Sequence, residues 1–174
     1  MPQNKSKNPT RAGKGNRWRP QGIVGCKVMG VCVHTARLLV MEVYNDRGRV
    51  KGARPLGGFV EFGETREQAL KREFREELGT EIALLDDWRT YENIYTHAGK
   101  LGHEFLFGCS IALLNPELYT QERLVFSEDS GTENLARWIS LQEFHRGAIE
   151  LFPTGLLEVL SLNHPPEEKR DAHI

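Results

Sequence analysis

The segment from Thr65 to Leu78 constrains the fold of this chain most, because it predicts one regular helix with a buried stripe. It consists mostly of Glu, Gln, Ala, Leu, Lys and Arg, which are strong helix formers. Gly79 follows where a left-handed residue commonly ends a helix. At about 100° per residue, Leu70, Phe74 and Leu78 fall on one stripe. The helix therefore needs another layer of structure to cover that stripe.

Three carboxylates lie beside the apolar stripe. Glu73, Glu76 and Glu77 fall within an arc of about 100° on the same helix. One interpretation is a solvated face with ion pairs at helical spacing, such as Arg72 with Glu76. The other is a set of hard oxygen ligands for Mg²⁺, which bridges carboxylates to substrate phosphates. The helix alone does not decide between the two.

Apolar segments before and after the helix predict strands. Ile23 to Val33 and Leu38 to Tyr44 are rich in Val, Ile and Leu, and we expect them to pair as a hairpin. Further strands and a last helix are predicted at Trp88 to Ile94, Glu104 to Leu114, Ala136 to Ile139, and Thr154 to Leu162 after Pro153. Ser140 with Glu143 is typical of a capping box that opens a helix. This order predicts an α/β (α+β) fold with a mixed β-sheet flanked by helices.

The composition suits one ordinary domain. The chain has 174 residues, of which 39% are hydrophobic and 27% charged, so a core can form without disulfides. Cys26, Cys32 and Cys109 are odd in number and form no CxxC pair, and we expect reduced core residues. No apolar run approaches the roughly 18 residues that span a bilayer, and the first twenty lack a signal-peptide core. We expect a cytoplasmic protein without membrane contact.

The charge of the chain is distributed unevenly. Residues 1–20 carry six cations and no acid, so the remainder has a net charge of about −7 although the whole chain has −1. This composition predicts a flexible basic arm over 1–20, a domain over 21–163 and a frayed tail over 164–174. The arm leaves RNA open as a partner through phosphate neutralisation, and a solvated tail is the alternative. The oligomeric state is open, a homodimer included.

The spacing of residues around the helix carries the strongest functional signal. Gly58 is followed after five residues by Glu64, and Glu64 after seven by the run Arg72 to Gly79. This stretch, from Gly58 to Thr80, resembles the signature of the Nudix hydrolases and is called the box below. Its seven fixed identities would coincide by chance with odds on the order of 10⁻⁹ per starting position. Thr80 departs from the pattern, since the family usually has an aliphatic residue there, and Ile82 is expected to supply that core contact.

The resemblance implies a Nudix-like α/β/α sandwich with a mixed β-sheet. It also implies a hydrolase that cleaves the phosphoric anhydride (pyrophosphate) bond of a nucleoside diphosphate linked to another moiety. Mg²⁺ is the implied cofactor and Mn²⁺ its substitute, because a divalent cation activates water and offsets phosphoryl charge. The alternatives are a catalytically silent module that senses a nucleotide, and an RNA-interacting hydrolase that uses the basic arm. Silent relatives usually lose box carboxylates, whereas all three are present here.

Carried over by position, the resemblance assigns roles within the box. Glu76 and Glu77 become metal ligands, and Glu73 becomes either a third ligand or the base that deprotonates the attacking water. Glu64 and Arg72 become an internal ion pair that fixes the loop to the helix. Unpaired surface charge is the alternative for these last two residues.

Residues outside the box complete the predicted site. Gly57 and Gly58 permit close approach of the backbone to a ligand, so the Gly57 carbonyl is a further candidate metal ligand and Gly58 borders the substrate. A plain turn is the alternative. Arg54 is a candidate phosphate contact, because a guanidinium suits oxyanions, and an exposed strand arginine is the alternative. Glu104 is the first candidate for a ligand after the box, ahead of Glu128, Asp129 and Glu133.

The sequence leaves the substrate open. Trp18, Trp88, Tyr91 and Tyr95 could stack on a base, although aromatic residues more often pack in a core. No proline follows the box before Pro116, which weakens the family's usual ADP-ribose signature. The candidates are nucleoside triphosphates, including damaged ones, dinucleoside polyphosphates, nucleotide sugars and capped RNA.

Overall fold

The computed structural model describes residues 20, 22–45, 47–97, 99–127 and 133–164, without the side chains of 126, 127, 133 and 134. Residues 1–19 of the predicted basic arm and 165–174 of the predicted tail lie outside this description. Trp18, Glu128 and Asp129 lie outside it as well, and so does the side chain of Glu133.

Within the described residues the chain forms nine strands, three α-helices and one short 3₁₀ helix. The strands are β1 (Val24–Val31), β2 (Val33–His34), β3 (Arg37–Tyr44), β4 (Val50–Arg54), β5 (Ile82–Leu84), β6 (Arg89–His97), β7 (Lys100–Leu113), β8 (Arg123–Ser127) and β9 (Glu133–Ser140). The helices are α1 (Arg66–Leu78), α2 (Leu141–His145) and α3 (Leu156–Asn163), with the 3₁₀ helix at Pro116–Tyr119. No helix of the described chain is long and apolar enough to cross a membrane.

The strands form two sheets. The first has the order β1-β7-β5, with β6 also paired to β7. In it β1 and β7 are parallel, whereas β5 and β6 run antiparallel to β7. The second has the order β2-β3-β9-β8, with β4 also paired to β3, and all its pairs are antiparallel. The prediction of a mixed sheet is therefore confirmed.

Successive residues of the central strands face two different cores, as the alternation of side chains along a strand requires. In β3, Leu39 packs in the cluster that contains Leu70 and Phe74 of α1. Its neighbour Leu38 packs in the cluster that contains Leu156 of α3. Helix α1 therefore covers one side of the sheets, and α3 covers the other. The α/β/α sandwich is confirmed.

Helix α1 forms as its sequence predicts. The Thr65 hydroxyl accepts a hydrogen bond from the Gln68 amide at 3.2 Å, and the Gln68 side chain accepts one from the Thr65 amide at 2.9 Å. This reciprocal capping box fixes the first turn. Gly79 ends the helix with a φ of 62°, and its amide donates to the carbonyl of Arg75. The two caps therefore fix the ends of the helix that carries Glu73, Glu76 and Glu77.

The predicted hairpin of Ile23 to Val33 with Leu38 to Tyr44 forms only next to its turn, and the predicted pairing of the longer strand is wrong. Strand β1 pairs along its length with β7, in parallel. Cys32 interrupts the run, and only the two-residue β2 forms a hairpin with β3, through Thr35 and Ala36, which both have positive φ. A strand buried on both faces is apolar throughout. The apolar run therefore did not reveal which strand would pair with it.

Smaller differences concern caps, cysteines and short strands. The Ser140 hydroxyl caps α2 by accepting a hydrogen bond from the Gln142 amide. The predicted capping box with Glu143 is not among the hydrogen bonds described for this cap. Cys32 and Cys109 are buried as predicted, but Cys26 is exposed. The sequence did not predict β4, β5 and β8, which are too short for a clear periodicity.

Candidate active site

The loop between β4 and α1 runs along the edge of β1 that β7 leaves free. The Val28 amide donates to the carbonyl of Gly58 at 2.9 Å, and the Val60 amide donates to that of Cys26 at 3.0 Å. A further bridge joins Gly30 to Leu56. The loop backbone over residues 56–60 is therefore fixed to β1 as a short antiparallel pairing.

Two adjacent glycines fit this loop against β1 and α1. Gly57 has a φ of 132°, and a Cβ on it would lie 2.3 Å from the carbonyl oxygen of Val28. A Cβ on Gly58 would lie 2.2 Å from Oε1 of Glu73. No side chain fits at either position without a shift of its neighbours. The Glu73 carboxylate consequently lies directly against the Gly58 backbone.

Arg72 connects the loop to the helix with five hydrogen bonds, which equals the number of N–H groups on a guanidinium. Its Nε and Nη2 donate to the two carboxylate oxygens of Glu64 at 2.8 and 3.0 Å. Its Nη1 donates to Glu73 at 2.9 Å and to Glu76 at 3.1 Å. Nη2 also donates to the Phe59 carbonyl at 2.9 Å. Arg72 therefore has no N–H group left for a ligand unless one of these bonds breaks.

The charges around Arg72 shift the pKa values of their neighbours. The hydrogen bonds from Arg72 hold the pKa of the Glu64 carboxyl below its ordinary value. Burial raises the pKa of Glu73, although Arg72 acts in the opposite direction. A carboxylate with a raised pKa takes up a proton more readily than an ordinary one. Glu73 is therefore the more basic of these two carboxylates.

The three box carboxylates have different environments. Glu77 is buried and only 8% exposed, whereas the side chain of Glu76 is 53% exposed. Glu73 lies between them at 15%. A carboxylate is rarely buried without a charged or hydrogen-bonding partner. The position of Glu77 on the inner side of α1 therefore distinguishes it from a solvated helix residue.

The donor chemistry of this region suits a hard divalent cation, because carboxylate and carbonyl oxygens are the ligands such ions prefer. In the described part of the chain, however, no three His, Cys, Asp or Glu side chains form a group ready to hold a metal ion. Glu73 and Glu76 are directed toward Arg72 instead. Each of them bonds Arg72 through a single oxygen, Oε1 of Glu73 and Oε2 of Glu76.

Arg54 lies at the end of β4, beside the glycines. Its Nη1 donates to the carbonyls of Pro55 at 3.3 Å and Gly57 at 3.2 Å. No other hydrogen bond joins this guanidinium to the described residues. Most of the guanidinium fork therefore remains available, in contrast to that of Arg72.

A second polar cluster lies next to the loop, on β1, β6 and β7. Glu104 is 8% exposed and accepts from Lys27 at 2.8 Å, from Asn93 at 2.9 Å and from Tyr95 at 3.4 Å. The Lys27 ammonium also lies 4.7 Å from the centre of the Phe59 ring. Burial lowers the pKa of Lys27, and Glu104 opposes this shift. The cluster thus joins the Glu104 strand to the loop between β4 and α1.

Sequence reasoning selected Glu104 but missed Lys27 and Asn93. A signal for Lys27 exists, since it is the one cation within the apolar run from Ile23 to Val33. Its partner depends on the parallel register that sets Lys27 opposite Leu106, two residues from Glu104. That register is not visible in the local sequence.

A NUDIX domain model matches residues 27–159 of the chain. The chain belongs to the Nudix family. It is a hydrolase that acts on pyrophosphate bonds, as the box implied. Nudix hydrolases act on nucleotide-like small molecules, and the family generally uses divalent metals.

Two solved structures share the Nudix fold with this chain. The solution structure of the E. coli ORF135 protein is 21% identical with a TM-score of 0.51, over 83% of this chain and 95% of that one. A NUDIX hydrolase from Nitrosomonas europaea is also 21% identical with a TM-score of 0.51, over 82% of this chain and 89% of that one. No protein of curated function matches this chain. The likeness supports the fold described above.

The residues predicted for the Nudix site fall into three groups. One group shares the Arg72 network and consists of Glu64, Arg72, Glu73 and Glu76. A second group borders that network from the loop and consists of Arg54, Gly57 and Gly58. The last two, Glu77 and Glu104, are buried separately, on α1 and on β7.

Proposed function

We propose that this Nudix hydrolase cleaves a pyrophosphate bond in a nucleoside diphosphate linked to another moiety, with Mg²⁺ as its cofactor and Mn²⁺ as a substitute. The Arg72 network is the observation that supports this most. It gathers the carboxylates of Glu73 and Glu76 beside the Gly57–Phe59 loop. Ordinary surface charges on a helix form isolated pairs instead, as Lys71 does with Glu67 on the exposed side of α1.

The proposed cation ligands are Glu76, Glu77 and the Gly57 carbonyl, and Glu73 is either a third carboxylate ligand or the base that deprotonates the attacking water. That carbonyl accepts one hydrogen bond from Arg54, and a carbonyl oxygen has a second lone pair. Glu104 is the proposed additional ligand from β7, and it would have to loosen its hydrogen bond from Lys27 to take that part. A bound divalent cation would make water a better nucleophile and offset charge on the phosphoryl oxygens.

The remaining tasks belong to the side chains around the cation. Because Arg72 uses all its N–H groups, we assign it and Glu64 to positioning Glu73 and Glu76 rather than to binding substrate. In the role of the base, Glu73, whose pKa burial raises, would accept a proton from the attacking water. Arg54 would donate its free N–H groups to phosphate oxygens. Gly58, which has no side chain, would let the phosphates approach the loop.

Hydrolysis in ¹⁸O-labelled water tests this function. The protein is incubated with Mg²⁺ and a panel of nucleotide sugars, dinucleoside polyphosphates and nucleoside triphosphates, and the products are analysed by mass spectrometry. We expect the label in a phosphate group of one product, at one defined position, because water attacks phosphorus. Label in a carbon-bound hydroxyl would indicate a different bond and contradict the proposal. The accepted member of the panel would identify the substrate class.

A further inference from the structure

We propose that Lys27 is a substrate-binding residue that contacts a phosphate of the diphosphate group beside the loop between β4 and α1. This inference rests on the proposed function. Lys27 is paired with Phe59 in an isolated bridge between β1 and the loop. The Lys27 backbone therefore lies opposite that of Phe59, which follows Gly58 in the loop. Nothing in the box signature assigns a role to this position.

The charge of the region requires cations for an anionic substrate. Box carboxylates and Glu104 surround the loop, and a diphosphate would be repelled by them. Three cations of the described chain contact residues 57–59 of the loop: Arg54 through Gly57, Arg72 through Phe59, and Lys27 through the Phe59 ring. Arg72 is saturated by protein acceptors. The other two cations at the loop are Arg54 and Lys27, and Lys27 would contact phosphate while it keeps its ion pair with Glu104.

The Lys27 ammonium is held in a defined position. Its side chain is 15% exposed and that of Glu104 is 10% exposed, so the pair is largely withdrawn from water. Glu104 is itself fixed by Asn93 of β6 at 2.9 Å and by Tyr95 at 3.4 Å. A buried ion pair of this kind adds little net stability compared with apolar residues of similar size. Its position beside the catalytic loop therefore points to binding rather than to folding.

The two cations approach the loop from different strands. Arg54 comes from β4 and presents a planar fork, whereas Lys27 comes from β1 and presents a compact charge. Arg54 and Glu73 both lie close enough to Lys27 to influence its pKa, which Arg54 lowers and Glu73 raises. This arrangement suits two neighbouring phosphates, with one cation for each. Lys27 would then determine affinity for the diphosphate group and not for the base.

The test compares Lys27→Met and Lys27→Arg with the wild type in the presence of Mg²⁺. Steady-state kinetics give KM and kcat, and calorimetry gives the Kd of a nucleoside diphosphate derivative whose phosphates are joined by a methylene group. For Lys27→Met we expect KM and Kd to rise by about tenfold or more, the usual loss for one charged hydrogen bond. We expect kcat to stay within about threefold, because the lost contact exists before and during the reaction alike. Lys27→Arg should recover most of the affinity.

Lys71→Met is the matched control, because it removes the same charge from an exposed pair with Glu67 on α1. It should leave KM and Kd unchanged. Unchanged KM and Kd in Lys27→Met, or equal losses in the control, would overturn the proposal. So would a fall in kcat at constant KM in both Lys27 variants, since that pattern indicates a structural role. If Lys27→Met does not fold, Lys27→Gln replaces it, because glutamine removes the charge but keeps a hydrogen-bond donor. We expect the same rise in KM and Kd for this variant.

The calorimetric measurement separates this inference from the function on which it rests. If the wild type binds the methylene-bridged compound but hydrolyses no pyrophosphate bond, the proposed function fails, and the Kd values still decide the role of Lys27. If the wild type hydrolyses the substrate and Lys27→Met binds as tightly, only the role of Lys27 fails.

Discussion

Glu77→Gln should reduce turnover on the order of a hundredfold or more, which corresponds to about 2.7 kcal/mol, without lowering stability in chelator. Glu77 is buried on the same helix edge as Glu73 and Glu76. Like charges at helical spacing typically cost about 0.2 to 0.5 kcal/mol per pair when they are solvated, and the burial of a charged carboxylate adds a desolvation cost. Removing one charge should therefore leave the free energy of unfolding without metal unchanged or slightly higher. In Mg²⁺ the order should reverse, because the wild-type fold gains binding energy from the cation that the variant largely lacks.

Thermal unfolding of both proteins, in chelator and in saturating Mg²⁺, measures this reversal alongside the hydrolysis rate. Glu67→Gln is the control, since Glu67 is exposed on the same helix and paired with Lys71. It should change neither turnover nor the Mg²⁺-dependent rise in Tm. A Glu77→Gln protein that is clearly less stable in chelator would make Glu77 a structural partner. Near-normal turnover would exclude it from the site.

Arg72→Lys should also lower turnover on the order of a hundredfold, although it preserves the charge. Lysine offers one compact ammonium, which cannot reproduce the bidentate bond to Glu64 and also hold Glu73 and Glu76. The carboxylates would lose their common anchor, and displacements of about 1 Å from the productive geometry are enough for losses of this size. Because Arg72 is 20% exposed, we expect a moderate loss of stability, about 1 to 3 kcal/mol.

Arg75→Lys is the matched control for Arg72→Lys. Arg75 lies on the same helix and pairs with Glu81, and both side chains are more than half exposed. An exposed pair contributes about 0 to 1 kcal/mol, so this control should keep its turnover and nearly all its stability. Kinetics and thermal unfolding of the two variants provide the comparison. Similar small effects in both would mean that the five hydrogen bonds of Arg72 do not position the site.

Local features of the chain were predictable from sequence because they depend on neighbours a few residues apart. Helix α1, its Thr65 cap and its Gly79 end follow from propensity and capping. The pairing of Glu64 with Arg72 was implied by the resemblance to the Nudix signature, and the structure adds that it is bidentate. Thr80, which departs from the family pattern, is buried at 4% exposure, as is Ile82.

Features that depend on contacts between residues far apart in the sequence were not predictable in the same way. The apolar run before β2 gave no indication that β1 would pair in parallel with β7, because a buried strand has the same composition whatever its partner. The contact between Lys27 and Glu104 depends on that register. The orientation of Glu73 and Glu76 toward Arg72 also required the tertiary structure, since helical spacing alone permits several partners for each.

The most direct test of a metal-dependent box is turnover of the wild-type protein on an accepted substrate in excess chelator, followed by addition of Mg²⁺. We expect hydrolysis to stop in chelator and to return when free Mg²⁺ exceeds it, because the cation activates water and neutralises phosphate together. Mn²⁺ should restore activity as well. Undiminished turnover in excess chelator would contradict the account.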